Sequence, residues 1–196
     1  MRKIRTIYSL KELHRLLEEH DEKKKIVIFF DLDQTIVADC DTNSDLDVLI
    51  EPQITKDLFA YMMKHNIYFS FITARFYDTV CNSKKRNLPE IRKNIYETLF
   101  PIFEELGIDI SGYKSKDMHD KYHIIKNDRN ISIGMLYHGI IFGGKKGEII
   151  KHFRSECNLD KSHPITIFVD DHDKYLKSVV KHVPNAIVLR REIEEE

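Results

Sequence analysis

The spacing of apolar residues along the chain predicts alternating helices and strands. Leucines recur on one face of residues 9–20, and Ser9 with Glu12 is typical of a helix start. The run Ile26–Phe30 is apolar at every position, which predicts a strand buried on both faces. A polar stretch follows, and Pro52 predicts a helix that continues to about residue 64. This alternation indicates an α/β fold with a central parallel sheet covered by helices.

The second half of the chain continues the alternation. A helical pattern covers residues 89–106, with an interruption at Pro101. Residues 122–125 and 131–142 are rich in strand formers, and we interpret approximately residues 108–142 as a small hairpin insertion beside the main sheet. The remaining predicted elements are strands over residues 67–72, 165–169 and 186–189 and helices over residues 147–157 and 173–180.

Composition favours one globular domain over residues 1–196. Charged residues make up 32% of the chain and hydrophobic residues 42%, which excludes a disordered protein. The formal net charge of −1 provides no general attraction for nucleic acid or an anionic membrane. No apolar stretch approaches the roughly 20 residues of a membrane-spanning helix, and no apolar signal-peptide core follows the basic N-terminus. We therefore expect a monomer without a membrane segment.

The cysteines indicate a reducing compartment. Cys40, Cys81 and Cys157 are odd in number and far apart, which favours free thiols over a disulfide framework. A cytoplasmic location is the expectation that follows. Residues 190–196 have the composition of a helix that continues, so a further C-terminal segment stays an open alternative.

Acidic side chains follow the strand Ile26–Phe30 directly. Asp31 and Asp33 occupy alternate positions, so both side chains point to the same side of the backbone. Two carboxylates so close together repel each other, and a bound cation would relieve that repulsion. The pattern is that of a site for phosphoryl transfer, and an ordinary polar loop after a strand stays the alternative at this point.

Other predicted strands also end in polar residues. Thr73 ends the strand over residues 67–72, and Asp170 with Asp171 ends the strand over residues 165–169. Parallel strands bring their carboxyl ends to one edge of the sheet, where ligands bind. A glycine-rich loop at residues 143–147 adds lysine and free backbone amides at a helix start. Carboxylates suit a metal ion, whereas hydroxyl, lysine and amide groups suit phosphate.

With these residues the chain resembles the haloacid dehalogenase superfamily of aspartate-nucleophile phosphatases. The resemblance covers roughly residues 24–190 and four ordered signatures. These are Asp-x-Asp-x-Thr at residues 31–35, Thr73, a lysine before a helix, and the pair Asp170 and Asp171. It implies a Rossmannoid three-layer α/β/α fold. More narrowly, the chain looks like a poorly characterised bacterial branch of which some members are effectors secreted into host cells, a route that needs no classical signal peptide.

The resemblance also implies a role for each signature residue. Asp31 would be the nucleophile, ionised at neutral pH, and Asp33 the general acid and base. Thr73 and Lys146 would bind the phosphoryl group, with Lys146 favoured over Lys145 because it adjoins Gly147. The implied cofactor is Mg²⁺, held by Asp31, the backbone carbonyl of Asp33, Asp170 and Asp171.

The spacing of the signature residues bears on the size of the substrate and on its contacts. Only about forty positions separate Asp33 from Thr73, which leaves no room for a large cap domain in that interval. We therefore expect an open site that accepts phosphorylated proteins, including phosphotyrosine, as well as small phosphometabolites. Arg75 and Tyr77 follow Thr73 and are candidates for substrate contact; the alternative is that they cap the next helix.

Three other site patterns fail on spacing or ligand type. The acidic residues 39–50 imitate a calcium loop but carry Ser44 at the glycine position and Ile50 at the glutamate position. A cysteine-phosphatase loop would need Cys81 and Arg86 one position further apart. The pair His119 and His123 lacks a third zinc ligand.

The predicted function is a Mg²⁺-dependent phosphatase that acts through an aspartyl-phosphate. One alternative is a non-catalytic phospho-acceptor domain of the response-regulator type, and another is a phosphotransferase acting on a small metabolite. Chain order disfavours the receiver, in which Thr and Lys follow all the acidic residues. Here Thr73 and Lys146 precede Asp170.

Overall fold

The computed structural model describes residues 4–38, 47–76, 87–109 and 121–193. Ten strands lie within these ranges: β1 (Arg5–Ile7), β2 (Ile26–Phe30), β3 (Val37–Ala38), β4 (Val48–Leu49), β5 (Tyr68–Thr73), β6 (Tyr122–Lys126), β7 (Ser132–Tyr137), β8 (Ile140–Phe142), β9 (Ile165–Asp170) and β10 (Ile187–Arg191). The helices there are α1 (Leu10–Glu19), α2 (Pro52–Lys64), α3 (Leu88–Asn94), α4 (Phe100–Glu105), α5 (Lys146–Glu156), α6 (Leu159–Ser162) and α7 (Asp173–His182).

Eight of these strands form one mostly parallel sheet. Their order is β1-β10-β9-β2-β5-β8-β7-β6, and every pair from β1 to β8 is parallel. The two pairs at one edge, β8 with β7 and β7 with β6, are antiparallel, so β7 is the strand that runs against the others of this sheet. The predicted α/β fold is confirmed in this form, a Rossmann-like arrangement with a central parallel sheet.

Alternate residues of β2 enter two separate hydrophobic cores. Ile26, Ile28 and Phe30 pack with residues of α1, α2, α3 and α4 on one face of the sheet. Val27 and Phe29 pack with residues of α5 and α7 on the other. All five side chains are fully buried, as the unbroken apolar run predicts for a strand between two helical layers.

The start of α1 matches the capping pattern read from the sequence. Ser9 accepts a hydrogen bond from the backbone N–H of Lys11 at 3.1 Å, and Glu12 accepts one from the N–H of Tyr8 at 2.8 Å. The helix ends at Glu19, one residue before the predicted end. Its leucines Leu10, Leu13 and Leu17 lie in the core.

The predicted hairpin insertion is wrong in one respect. Residues 131–142 form two strands rather than one, because His138 and Gly139 turn the chain with positive φ angles of 49° and 77°. The hairpin of β6 and β7 exists at the sheet edge, but β8 pairs with β5 as a parallel strand of the main sheet. A histidine in the first left-handed turn position is a weak turn signal, which is why the sequence did not reveal this turn.

An interruption of the helical segment was predicted at Pro101, and this prediction is wrong. A π-helical turn, Ile95–Leu99, connects α3 to α4, and the N–H of Phe100 bonds to the carbonyl of Ile95. Proline has no N–H to donate and its ring clashes with the carbonyl four residues earlier. The wider turn fits such a residue without ending the helix.

A short hairpin follows the acidic motif where a loop was predicted. The carbonyl of Leu32 accepts the N–H groups of Thr35, Ile36 and Val37 in one tight turn. The chain then forms the antiparallel pair β3 and β4, closed by a bond from the N–H of Ile50 to the carbonyl of Ile36. Residues 39–46, with most of the imitated calcium loop, lie outside the described residues.

None of the described helices combines the length and the apolar character that a membrane span requires. The strand β1 and the short helix α6 were not predicted, because three or four residues are too few to show a period.

Gly147 allows α5 to pack closely against α7. A Cβ atom at this position would collide with the backbone carbonyl of Ser178, so Gly147→Ala should destabilise the protein by about 3 kcal/mol. In an exposed helix interior the same change stabilises by about 1 kcal/mol. Urea unfolding measures the difference, with the exposed Ser155→Ala on the same helix as the matched control. A Gly147→Ala protein as stable as the control would contradict the packing described.

Candidate active site

The carboxyl ends of three adjacent strands bring the signature residues together. In the sheet β2 lies between β9 and β5, with Phe30 opposite both Val169 and Phe71. The N–H of Asp31 continues the pairing by donating to the carbonyl of Val169 at 2.9 Å. Residues just beyond these strand ends therefore share one edge of the sheet, as parallel pairing requires.

Lys146 lies between two of the carboxylates. Its Nζ atom is 2.5 Å from Oδ1 of Asp31 and 2.8 Å from Oδ2 of Asp170. The three side chains are 1%, 6% and 0% exposed, so this is a buried charge cluster. Lys145, by contrast, is half exposed and lies 3.9 Å from Glu148. Of the two lysines, Lys146 is the one that contacts the carboxylates at the strand ends.

The position of Lys146 depends on the loop that precedes α5. The N–H of Gly143 bonds to the carbonyl of Thr73 at 2.8 Å, which attaches the end of β8 to the end of β5. A side chain at Gly143 would approach the carbonyl of Ile133 within 2.8 Å and collide with Ile149. Lys146 is then the first residue of α5, where the helix dipole disfavours a cation. The two carboxylates offset that cost.

The ring of Tyr175 covers the other side of the lysine. Its centroid lies 4.3 Å from Nζ of Lys146, a distance typical of a cation–π contact. Tyr175 stands in the first turn of α7, which begins soon after Asp170 and Asp171, and its ring also contacts that of His172. Nothing in the sequence pattern distinguished this tyrosine, because its role depends on where α7 packs.

Burial makes the carboxylates hard to ionise together. The net result for Asp31 is a pKa of about 8: burial raises it most, Lys146 lowers it in part, and the charge of Asp170 adds to the rise. Burial likewise raises the pKa of Asp170, against the effect of Lys146. Burial lowers the pKa of Lys146, but the two carboxylates outweigh it and the net shift is upward. The expectation of an ionised Asp31 took no account of this burial, and the charge of Asp31 at neutral pH stays a prediction.

The same cluster fits a divalent cation. One carboxylate oxygen from each of Asp31, Asp170 and the more accessible Asp171 lies within 4.8 Å of the others. Oxygen donors of this kind are the ligands that Mg²⁺ prefers. A single lysine carries one positive charge against the three negative charges of these groups, so a second cation would relieve the repulsion that raises the pKa of Asp31. The side chain of Asp33 is not part of this cluster, and its predicted contribution was through the backbone.

Asp33 belongs to a second charge network beside the first. Its Oδ2 accepts a hydrogen bond from the buried hydroxyl of Thr73 at 3.1 Å. Its Oδ1 accepts two from Arg75, at 2.8 Å from Nε and 2.5 Å from Nη2. A third guanidinium nitrogen, Nη1, donates to Asp47 at 2.9 Å. Burial lowers the pKa of Arg75, but the two carboxylates outweigh it and raise that pKa.

The predicted residues thus fall into two groups with different surroundings. Asp31, Lys146, Asp170 and Asp171 form the buried cluster, while Asp33 and Thr73 lie in the network around Arg75. Arg75 binds two carboxylates in this structure, and its predicted contact with substrate stays a prediction. Tyr77 lies outside the described residues, so its predicted substrate contact stays a prediction.

The structure describes only part of the zinc, cysteine-phosphatase and calcium patterns that fail on spacing or ligand type. His123 pairs with Glu156 of α5 at 2.7 Å, whereas His119 lies outside the described residues. Cys81 and Arg86 also lie outside them. Asp47 was read only as part of a calcium-like acidic loop, and its pairing with Arg75 was missed because that pairing depends on the hairpin of β3 and β4.

Comparisons with models of protein families, with curated proteins and with solved structures found no match for this chain. The case for a function therefore depends on the site itself.

The acidic cluster predicts that Mg²⁺ stabilises the protein. Binding to the folded state alone would add about 2.7 kcal/mol to the free energy of unfolding at about 100 times the Kd. Thermal unfolding of metal-free protein, with and without MgCl₂ at matched ionic strength, measures the shift. Asp170→Asn should abolish it, because that substitution removes a buried carboxylate of the cluster. Asp21→Asn, in the exposed turn that precedes β2 at the opposite end of the strand, is the control and should retain the shift. Equal shifts in both variants would contradict the assignment.

Proposed function

We propose that the chain is a Mg²⁺-dependent phosphatase of the haloacid dehalogenase type, which hydrolyses phosphomonoesters through an aspartyl-phosphate. The observation that carries the proposal is the position of Lys146, buried between Asp31 and Asp170 within hydrogen-bond distance of both. Such a cluster is costly to bury, and it lies at the sheet edge where α/β proteins bind ligands. Asp33 and Thr73 are adjacent to it, as this chemistry requires.

Asp31 is the nucleophile in the proposed reaction. Its carboxylate oxygen forms a bond to phosphorus while the bond from phosphorus to the ester oxygen breaks. Asp33 gives a proton to the departing ester oxygen, then removes one from the water that attacks the aspartyl-phosphate. Inorganic phosphate leaves and the Asp31 carboxylate is restored.

The remaining groups bind and orient the phosphoryl group. Lys146 offsets negative charge on Asp31 and on the transferring group, and its burial makes that interaction stronger than it would be in water. The hydroxyl of Thr73 donates to Asp33 in this structure and would turn to a phosphoryl oxygen when substrate is bound. Asp31, Asp170, Asp171 and the Asp33 carbonyl would hold Mg²⁺. Bound there, it would supply positive charge that favours the ionised form of Asp31 and offsets charge on the phosphoryl group.

Chain length supports a site without a large cap between Asp33 and Thr73. The described part of that interval consists of the turn after β2, the hairpin of β3 and β4, and α2. Only eight residues, 39–46, remain, which is far too few for a folded domain. We propose that phosphoproteins, including those with phosphotyrosine, and small phosphometabolites are the substrate classes.

An assay over phosphopeptides and phosphometabolites with Mg²⁺ tests the proposal. Wild-type protein should release phosphate from at least one class, and Asp31→Asn should reduce release to background. Asp33→Asn should lower kcat by about 10²–10⁴-fold, because it removes the general acid. Asp57→Asn, an exposed substitution on α2, is the control and should be fully active.

The same assay separates hydrolysis from simple phospho-acceptance. A hydrolase forms a hydroxylamine-sensitive phospho-enzyme that turns over, whereas a receiver domain would retain a stoichiometric phosphoryl group and release little phosphate. If wild type and Asp31→Asn show the same background on every substrate, the phosphatase proposal fails.

A further inference from the structure

We infer that Asp47 is a positioning residue: it holds the Arg75 guanidinium in the orientation from which Arg75 fixes the carboxylate of Asp33. The inference rests on the proposed function, in which Asp33 donates a proton to the departing oxygen. It assigns a role to a residue that none of the phosphatase signatures in the sequence includes.

The geometry of the guanidinium is the first step. Arg75 uses one edge, Nε and Nη2, for Oδ1 of Asp33, and the remaining nitrogen, Nη1, for Oδ2 of Asp47. Because the guanidinium is planar and rigid, fixing one nitrogen fixes the directions of the others. Asp47 therefore determines which way the Nε edge points, and that edge points at Asp33.

Neutralisation of charge does not account for the presence of Asp47. One arginine already neutralises the one negative charge of Asp33, so a second carboxylate on Arg75 returns the group to net negative charge. The side chains of Asp47 and Arg75 are only 11% and 17% exposed, so both charges lose much of their hydration. A second, partly buried acid is therefore useful for the orientation it imposes rather than for the charge it adds.

The backbone places Asp47 in a fixed relation to the nucleophile strand. Asp47 directly precedes β4, whose Val48 pairs with Ala38 of β3. The tight turn at Leu32 connects β3 to the end of β2 through three N–H bonds to one carbonyl. Asp47 is thus attached to the strand end that carries Asp31 and Asp33, whereas Arg75 follows β5. The ion pair joins the two strand ends across the site.

Asp33 is the group that this restraint would serve. Its side chain is 34% exposed, so a departing ester group could reach it. Thr73 holds one oxygen and Arg75 the other. Loss of Asp47 would leave Arg75 free to rotate, and Asp33 would lose its fixed bonds to the guanidinium.

Leaving-group chemistry distinguishes positioning from general stability. β-Glycerophosphate releases a basic alkoxide and needs a proton from Asp33, whereas p-nitrophenyl phosphate releases a stable phenolate and does not. Asp47→Ala and Asp47→Asn should lower kcat on β-glycerophosphate about 10–100-fold, as expected when a catalytic group is misplaced rather than removed. On p-nitrophenyl phosphate the change should stay within about 3-fold. Asp47→Glu, which keeps a carboxylate, should recover part of the loss, and Asp57→Ala is the matched control.

A double variant tests whether Asp47 acts through Arg75. Asp47→Ala combined with Arg75→Ala should be no slower on β-glycerophosphate than Arg75→Ala alone. If the double variant is slower than Arg75→Ala by the full factor measured for Asp47→Ala alone, the inference is overturned. It is overturned as well if Asp47→Ala lowers kcat equally on both phosphate esters. An unchanged kcat for Asp47→Ala and Asp47→Asn on β-glycerophosphate overturns it as well.

Crystal structures of Asp47→Ala and Asp57→Ala test the positioning role of Asp47 without a measurement of activity. We expect Arg75 to leave hydrogen-bond distance of Asp33 in the first variant and to keep it in the second. If Arg75 stays on Asp33 in both, the positioning role is wrong, whatever the enzyme does. If wild-type protein hydrolyses no phosphate ester of the wider substrate panel but Arg75 moves as expected, the proposed function fails while the positional role of Asp47 stands.

Discussion

The contact of one buried lysine with two buried carboxylates is the interaction around which this structure is organised. Lys146 is within 2.8 Å of both Asp31 and Asp170, and each side chain is almost completely removed from water. Removing any one partner from such a group leaves an uncompensated buried charge. Several unusual features accompany this cluster. They include a cation at a helix N-terminus, a glycine that allows two helices to touch and a second glycine, beyond β8, that leaves room for Ile133 and Ile149.

The site consists of two charge networks with different exposure. The network around Lys146 is dry, so its electrostatic interactions are strong and the pKa of Asp31 is about 8, raised mainly by burial. The network around Arg75 is partly open, and its hydrogen bonds can exchange with those of a ligand. A group that must stay fixed fits the first environment, and a group that a departing ester can reach fits the second. This division matches the proposed roles of Asp31 and Asp33.

The reliability of the sequence predictions followed the physical origin of each signal. Ile26–Phe30 and the leucines of α1 were placed correctly because burial imposes a period that is visible in a single chain. The turn at His138 and Gly139 was missed because a left-handed histidine leaves no strong local signal. Pro101 was misinterpreted because a π-helical turn satisfies the same constraint as a helix end. Local rules of this kind limit the possible conformations without choosing among them.

The sequence by itself determined the α/β alternation and the carboxyl-end positions of Asp31, Asp33, Thr73 and Asp170, because strand ends follow directly from apolar runs. It also indicated Lys146 through its place beside Gly147. The tertiary structure decided which groups interact: that Lys146 and not Lys145 is buried, that Arg75 binds Asp33 and Asp47, and that Tyr175 covers the lysine. Hydrogen bonds and charge burial depend on distances between residues far apart in the chain. Only the packing of helices on the sheet determines those distances.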